Sequence, residues 1–160
     1  MAGIAHIGVG LAAKKIAPQA PLGVLLLASE ALDILWGIFA LLGIENMADS
    51  PWSHGLFMAI GWSLIAALLS AEIFRNFRTG LVIGLVVFSH WLLDFITHPM
   101  FGGLPDLPLL FNGSPKVGLG LYSSIAPIVT VLFELGLVIS GLIVYLPTRS
   151  TFKKTPIRQK

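Results

Sequence analysis

Cysteine is absent from the 160-residue chain, which excludes disulfides and every metal site built on thiolates. Charge is nearly as scarce. Only 11% of residues are charged, whereas a soluble domain carries about a quarter. The polar coat that water requires is missing, and its place is taken by a 56% hydrophobic composition with a mean hydropathy of +0.88. Such a surface has to face lipid. The length allows one domain. No internal repeat is visible, and no nucleic-acid-binding signature accompanies the basic residues, so no nucleic-acid partner is expected.

A spanning helix needs about 20 mostly apolar residues, because inside hydrocarbon the backbone must satisfy its own hydrogen bonds. Four segments meet that requirement: 22–44, after Pro18 and Pro21; 54–73, entered through Ser50-Pro51-Trp52-Ser53; 79–101, closed by Pro99 and Gly102-Gly103; and 118–146, closed by Pro147. In the last, Pro127 either kinks the helix or ends a preceding turn. The sequence thus predicts an all-α polytopic membrane protein of four spans, a single domain over 1–147 followed by a basic tail over 148–160. The apolar stretch 3–13 is too short to cross. It lacks the basic leader of a secretory signal, since Lys14 and Lys15 follow it, and it reads as a short interfacial or re-entrant helix.

Basic residues set the orientation. Lys14 and Lys15 precede the first span, Arg75 and Arg78 separate the second from the third, and Arg149, Lys153, Lys154, Arg158 and Lys160 follow the fourth. Lys116 alone falls in the other two loops, against Glu45, Asp49 and Asp106. Both ends are therefore expected in the cytoplasm, with the chain integral to the cytoplasmic (inner) membrane. Membrane lipids are the expected partners. The tail reads as a solvated anchor that attracts anionic lipid, at about 1 kcal/mol per juxtamembrane Lys or Arg.

Function is carried by the ionisable residues inside the spans. An acid at a helix centre costs roughly 2.5–3.5 kcal/mol on insertion scales, so Glu30, Asp33, Asp94 and Glu134 must pair with one another, with protons or with a cation. His90, Asp94 and His98 recur at every fourth position and share one helical stripe. Glu30 and Asp33 share a face three residues apart, and His54 opens its span on the side where His98 closes the next. Imidazole and carboxylate donors without sulfur suit zinc first, or manganese or iron. The expected metal ligands are His54, His90, Asp94 and Asp33, with Glu134, and with His6 if the N-terminal helix folds back. His98 and Glu30 are the candidate bases. Taken singly, Glu134 and Glu30 also read as protonated acids bonded to a carbonyl, and Trp36, Trp52, Trp62 and Trp91 read as packing or interfacial residues. The 102–118 loop, with Pro105-Asp106-Leu107-Pro108, reads as a lid over the site or as a rigid connector. Gly118 and Gly120 would permit close helix packing.

The order of these motifs resembles the membrane-bound metal-dependent hydrolases, a family distantly similar to zinc-dependent phospholipase C, and in particular a poorly characterised bacterial branch. The resemblance is carried by Ala5-His6-Ile7-Gly8, by Glu30 and Asp33, by Ser53-His54 and by Ser89-His90-Trp91-Leu92-Leu93-Asp94. It extends through Pro105-Asp106-Leu107-Pro108 and Gly118-Leu119-Gly120-Leu121-Tyr122 to about Glu134. It implies metal-dependent hydrolysis of a lipid-borne or membrane-embedded ester or phosphoester. The chain departs from the family pattern in three ways: Ser29-Glu30-Ala31-Leu32-Asp33 stands where Pro-Asp-x-Asp is usual, the His-Arg usual shortly before the Ser53-His54 position is missing, and Gly55 follows His54 where Ser is usual.

Two other functions fit the same residues. A chain of histidines and carboxylates across spans is also how proton or metal-ion carriers are built, and with four spans a carrier would act as a homo-oligomer. Paired histidines can hold haem or a quinone, but haem ligation has no use for so many carboxylates.

Overall fold

A computed structural model of the chain describes residues 3–46, 49–99 and 103–153, with side chains to Thr148. The end of the expected third span at Phe101, Gly102 of its closing pair, and residues 154–160 of the basic tail lie outside them. Six helices carry the fold: α1 (Ala5–Ala13), α2 (Leu22–Ser29), α3 (Ala31–Leu41), α4 (Leu56–Ile73), α5 (Phe77–Thr97) and α6 (Pro127–Lys153). Helices α4, α5 and the 127–148 part of α6 are each long and apolar enough to cross a membrane. Helices α2 and α3 together form a fourth candidate, bent by 59°. Leucine and isoleucine are exposed along α4 (Leu64, Leu68, Leu69) and α6 (Leu132, Ile139, Ile143). Outward faces of this kind suit lipid.

The core is organised on α5. Its small residues let α4 close on it: a Cβ on Gly80 would run into the Ala67 carbonyl, and one on Gly84 would lie 2.7 Å from the Ser63 oxygen. Close contact of this kind is how apolar helices associate when no hydrophobic force separates helix from lipid. Asn76 caps α5 by accepting the Thr79 N–H at 2.9 Å, and Thr79 reaches Gln19 in the α1–α2 connection. That connection is closed by Lys14, whose Nζ donates to the carbonyls of Pro18 and Ala20.

Helix α1 does not lie on the surface. Ala5, His6, Gly8, Gly10, Leu11 and Ala13 are buried. It runs parallel to α6, with Gly3 beside Glu134 and Gly8 against Leu137 and Gly141. Its glycines carry the approach, since a Cβ on Gly8 would strike the Leu137 carbonyl. As a result Lys14 and Lys15, the Arg75–Arg78 turn and the later part of α6 gather at one end of the bundle, while the start of α1 lies deep among the other helices.

Three boundaries differ from the sequence reading. The first span is not one helix: it breaks at Glu30 and ends at Leu41. A continuous helix would give the Ser29 carbonyl to the residue-33 N–H; here that carbonyl accepts from His90 Nδ1 at 2.7 Å, and a side chain inserted into the ladder kinks it. The fourth helix begins at Pro127, where a missing N–H costs nothing. It does not stop at Pro147 but continues to Lys153, so 148–153 extends the helix and is not a separate coil. The third helix stops at Thr97, before a cis His98–Pro99 bond.

The 103–126 connection is pinned. It pairs Leu107 with Val117 and Pro108 with Lys116 in a two-residue antiparallel ladder, and the Leu109 carbonyl accepts the Phe57 N–H at 3.1 Å. Gly120, at φ +68°, donates to the His98 carbonyl at 2.7 Å, and Leu119 donates to that of Phe95. Gly118 and Gly120 therefore serve the end of α5 and not a helix–helix contact: Leu119 and Gly120 satisfy its orphan carbonyls, and a Cβ on Gly118 would strike the His98 carbonyl.

Candidate metal centre

Four elements deliver imidazole and carboxylate groups to one volume. Helix α5 supplies His90 and Asp94 one turn apart on its buried face, α3 supplies Asp33 in its first turn, α1 supplies His6, and the turn before α4 supplies His54. His6, His54, His90 and Asp94 are all buried, and Asp33 keeps a third of its side chain accessible, which opens the cluster on one side.

Asp94 is the centre of the cluster. Its Oδ2 lies 3.4 Å from both His54 Nε2 and His90 Nε2. Its Oδ1 lies 3.3 Å from His6 Nε2 and 3.8 Å from His98 Nε2. Asp33 Oδ1 is 3.3 Å from His54 Nε2 and 3.6 Å from His90 Nε2. The His6 and His90 rings stack with centroids 3.7 Å apart, which lines up the two edges.

Two triads, His6–His90–Asp94 and Asp33–His54–His90, have ligand atoms within 4.8 Å of one another and can hold a metal ion. Two observations show the fit. A direct charge-assisted N–H···O contact is about 2.7–2.9 Å, shorter than the five separations that Asp33 and Asp94 make to His6, His54 and His90. Bonds of about 2.0–2.1 Å from a tetrahedral zinc put neighbouring donors about 3.3 Å apart, close to what is seen. In addition, His90 Nδ1 faces the Ser29 carbonyl, an acceptor only, so Nδ1 bears the hydrogen. Nε2 then faces carboxylate oxygens of Asp33 and Asp94 at 3.6 and 3.4 Å, outside good hydrogen-bond range. A proton on the ring or a metal ion between ring and carboxylates would each match this arrangement.

The remaining expected residues are placed differently. His98 caps α5, a quarter exposed, with Nδ1 3.1 Å from Asp106 Oδ2; the 103–126 connection is thereby tied to the rim. Glu30 sits at the α2–α3 break, near enough to His6, His90 and Asp33 for electrostatic coupling, with Ser29 Oγ at 3.5 Å. Glu134 belongs to neither triad. Its Oε1 would be 2.9 Å from a Cβ on Gly3, and it lies beside the buried Tyr122. Burial pushes the Tyr122 hydroxyl well above the ordinary tyrosine value, and Glu134 reinforces the shift.

Sequence reasoning overlooked Glu45, counted there as a loop charge. It is buried and accepts from Trp52 N, Ser53 N and Ser53 Oγ. Its signal in the sequence was its distance of eight residues from the Ser53-His54 pair. Trp91 is a core residue whose indole donates to the His54 carbonyl at 2.9 Å. The chain matches no family model, and neither a curated protein nor a solved structure is similar to it at a significant level.

Proposed function

We propose that the chain is a four-span membrane protein whose buried His/Asp cage holds a divalent metal, zinc by preference, for hydrolysis of a lipid-borne or membrane-embedded ester or phosphoester. The observation that carries this reading is the set of Nε2–carboxylate separations around Asp94 and Asp33, 3.3 to 3.6 Å, the donor spacing of a tetrahedral metal and too long for direct hydrogen bonds. His54, His90, Asp94 and Asp33 hold the ion, and His6 completes the wall on the other side of Asp94. A metal bound there supplies Lewis acidity and acidifies a water. His98 and Glu30, on the rim and not in the cage, are placed to move protons. The partly open side at Asp33 admits substrate from a lipid-facing surface.

In this reading α2 and α3 form one broken span, and α1 is a re-entrant helix reaching part way. The end that gathers Lys14, Lys15, Arg75 and Arg78 faces the cytoplasm, as does the C-terminal segment. The order of motifs that resembles the membrane-bound metal-dependent hydrolases points the same way.

The test is a screen of zinc-loaded, detergent-purified protein against lipid esters and phosphoesters, beside His98→Ala and Asp94→Asn. Hydrolysis that both substitutions abolish, with metal retained in His98→Ala, is expected. A metal-loaded protein inert toward every lipid class would overturn the hydrolytic part of the reading.

One observation favours ion translocation as a second reading: the span broken at Glu30, since carriers build midplane ion sites at discontinuous helices and an acid inside a span marks an ion or proton path. Zinc or proton flux in proteoliposomes that is lost in Glu30→Gln would support it, and an impermeable vesicle would exclude it.

A further inference from the structure

A carboxylate in a loop normally seeks water, yet Glu45 is 4% exposed and Ser53 is fully buried. Glu45 Oε1 takes the N–H groups of Trp52 and Ser53, and Oε2 takes the Ser53 hydroxyl at 2.7 Å. A serine has one hydroxyl hydrogen, and here it is committed to Glu45. Ser53 Oγ therefore presents only lone pairs to His54 Nδ1, 2.9 Å away, and Nδ1 must carry the ring hydrogen. In the neutral ring His54 Nε2 is then a lone pair aimed at Asp33 Oδ1 and Asp94 Oδ2, 3.3 and 3.4 Å distant. The backbone of His54 is fixed as well, with its N–H on the Ser50 carbonyl at 2.9 Å and its carbonyl on the Trp91 indole.

We infer that Glu45, acting through the Ser53 hydroxyl, is a positioning residue that holds His54 in the one tautomer able to bind a metal through Nε2. The inference rests on the metal-binding reading above, and it adds a five-residue line of control, Glu45–Ser53–His54–Asp33/Asp94, to the cage. His90 obtains the same tautomer from a neutral carbonyl. His54 obtains it from a carboxylate two hydrogen bonds behind the ring. Partners of this kind contribute about 10–100-fold to metal affinity.

Two substitutions act on the relay in different ways. Ser53→Ala leaves both backbone bonds of Glu45 in place and simply frees Nδ1. Glu45→Gln reverses the direction of the relay: its amide oxygen keeps the two backbone N–H groups, its NH₂ donates to Ser53 Oγ, and the Ser53 hydroxyl turns to donate to His54 Nδ1. The hydrogen then moves to Nε2, where it obstructs the metal.

The experiment is ¹⁵N NMR of histidine-labelled, full-length protein in detergent without metal, followed by zinc competition against a chromophoric chelator and cobalt absorption spectra. The expected result is a His54 Nδ1–H tautomer in wild type, a mixture in Ser53→Ala and an Nε2–H tautomer in Glu45→Gln. Zinc affinity should fall about 10–100-fold in the variants, more in Glu45→Gln than in Ser53→Ala, with altered cobalt bands. Unchanged tautomers in both variants overturn the relay whether or not metal binds. Wild type that binds no zinc overturns the metal reading instead, and the tautomer series still decides the relay. If Glu45→Gln fails to fold, Ser53→Ala alone decides: an Nδ1–H tautomer as pure as in wild type overturns the relay.

Discussion

Helices α5 and α6 look alike in sequence. Each is a long apolar run that can cross a membrane, with a single carboxylate in its interior, Asp94 in one and Glu134 in the other. Their surroundings have little in common. Half of α5 is buried, whereas very little of α6 is, and Asp94 is met by the Nε2 atoms of four histidines. Glu134 has a tyrosine hydroxyl and a glycine beside it. The insertion cost of an acid, roughly 2.5–3.5 kcal/mol, is the same for both, but the means of meeting it differ. Asp94 is surrounded by imidazoles that can share protons or a metal ion with it, whereas Glu134 sits against one hydroxyl and one small residue. An acid in a span marks function only when other helices bring ligands to it.

The comparison can be broken at several points. The largest effect is expected at Asp94: Asp94→Asn removes the one group shared by every histidine pair, and the protein should lose its metal entirely, read by elemental analysis. Removing the metal from wild type with a chelator comes next. An ion held at about 1,000 times its Kd stabilises by about 4 kcal/mol, so chelation should lower Tm by several degrees and excess zinc should restore it. The same treatment should leave the Tm of Asp94→Asn unmoved. Gly8→Leu drives a side chain into the Leu137 carbonyl and should cost about 1–3 kcal/mol, read as a lower Tm, with weaker zinc binding because α1 carries His6. The smallest effect is expected at Glu134: Glu134→Gln should leave metal content unchanged and shift stability by no more than about 1 kcal/mol. Metal loss in Glu134→Gln would erase the distinction between the two helices.

Much of this arrangement was legible in the chain. His90 and Asp94 share a stripe because of helical period alone, whereas His98 lies just past the end of α5 and turns to Asp106. His54 meets the pair because consecutive antiparallel spans return to the same depth. His6 was not secured by its spacing, since its place depends on α1 folding in parallel to α6, a tertiary contact made possible by Gly8 and Gly141. The break at Glu30 was hidden for a similar reason: neither proline nor glycine marks it, and its cause is a histidine 61 residues away taking the Ser29 carbonyl. Pro147 misled as a terminator because an apolar helix can tolerate an internal proline. Glu45 looked like a solvated loop charge until its loop folded onto Ser53.

The most direct measurement is the metal content of purified protein, wild type beside Asp94→Asn and Glu134→Gln. A near-stoichiometric divalent metal in wild type and Glu134→Gln, absent from Asp94→Asn, is the predicted result. Wild type without metal after purification and reconstitution with zinc, manganese or iron would contradict the account, and would make the His/Asp cage a set of proton-sharing pairs.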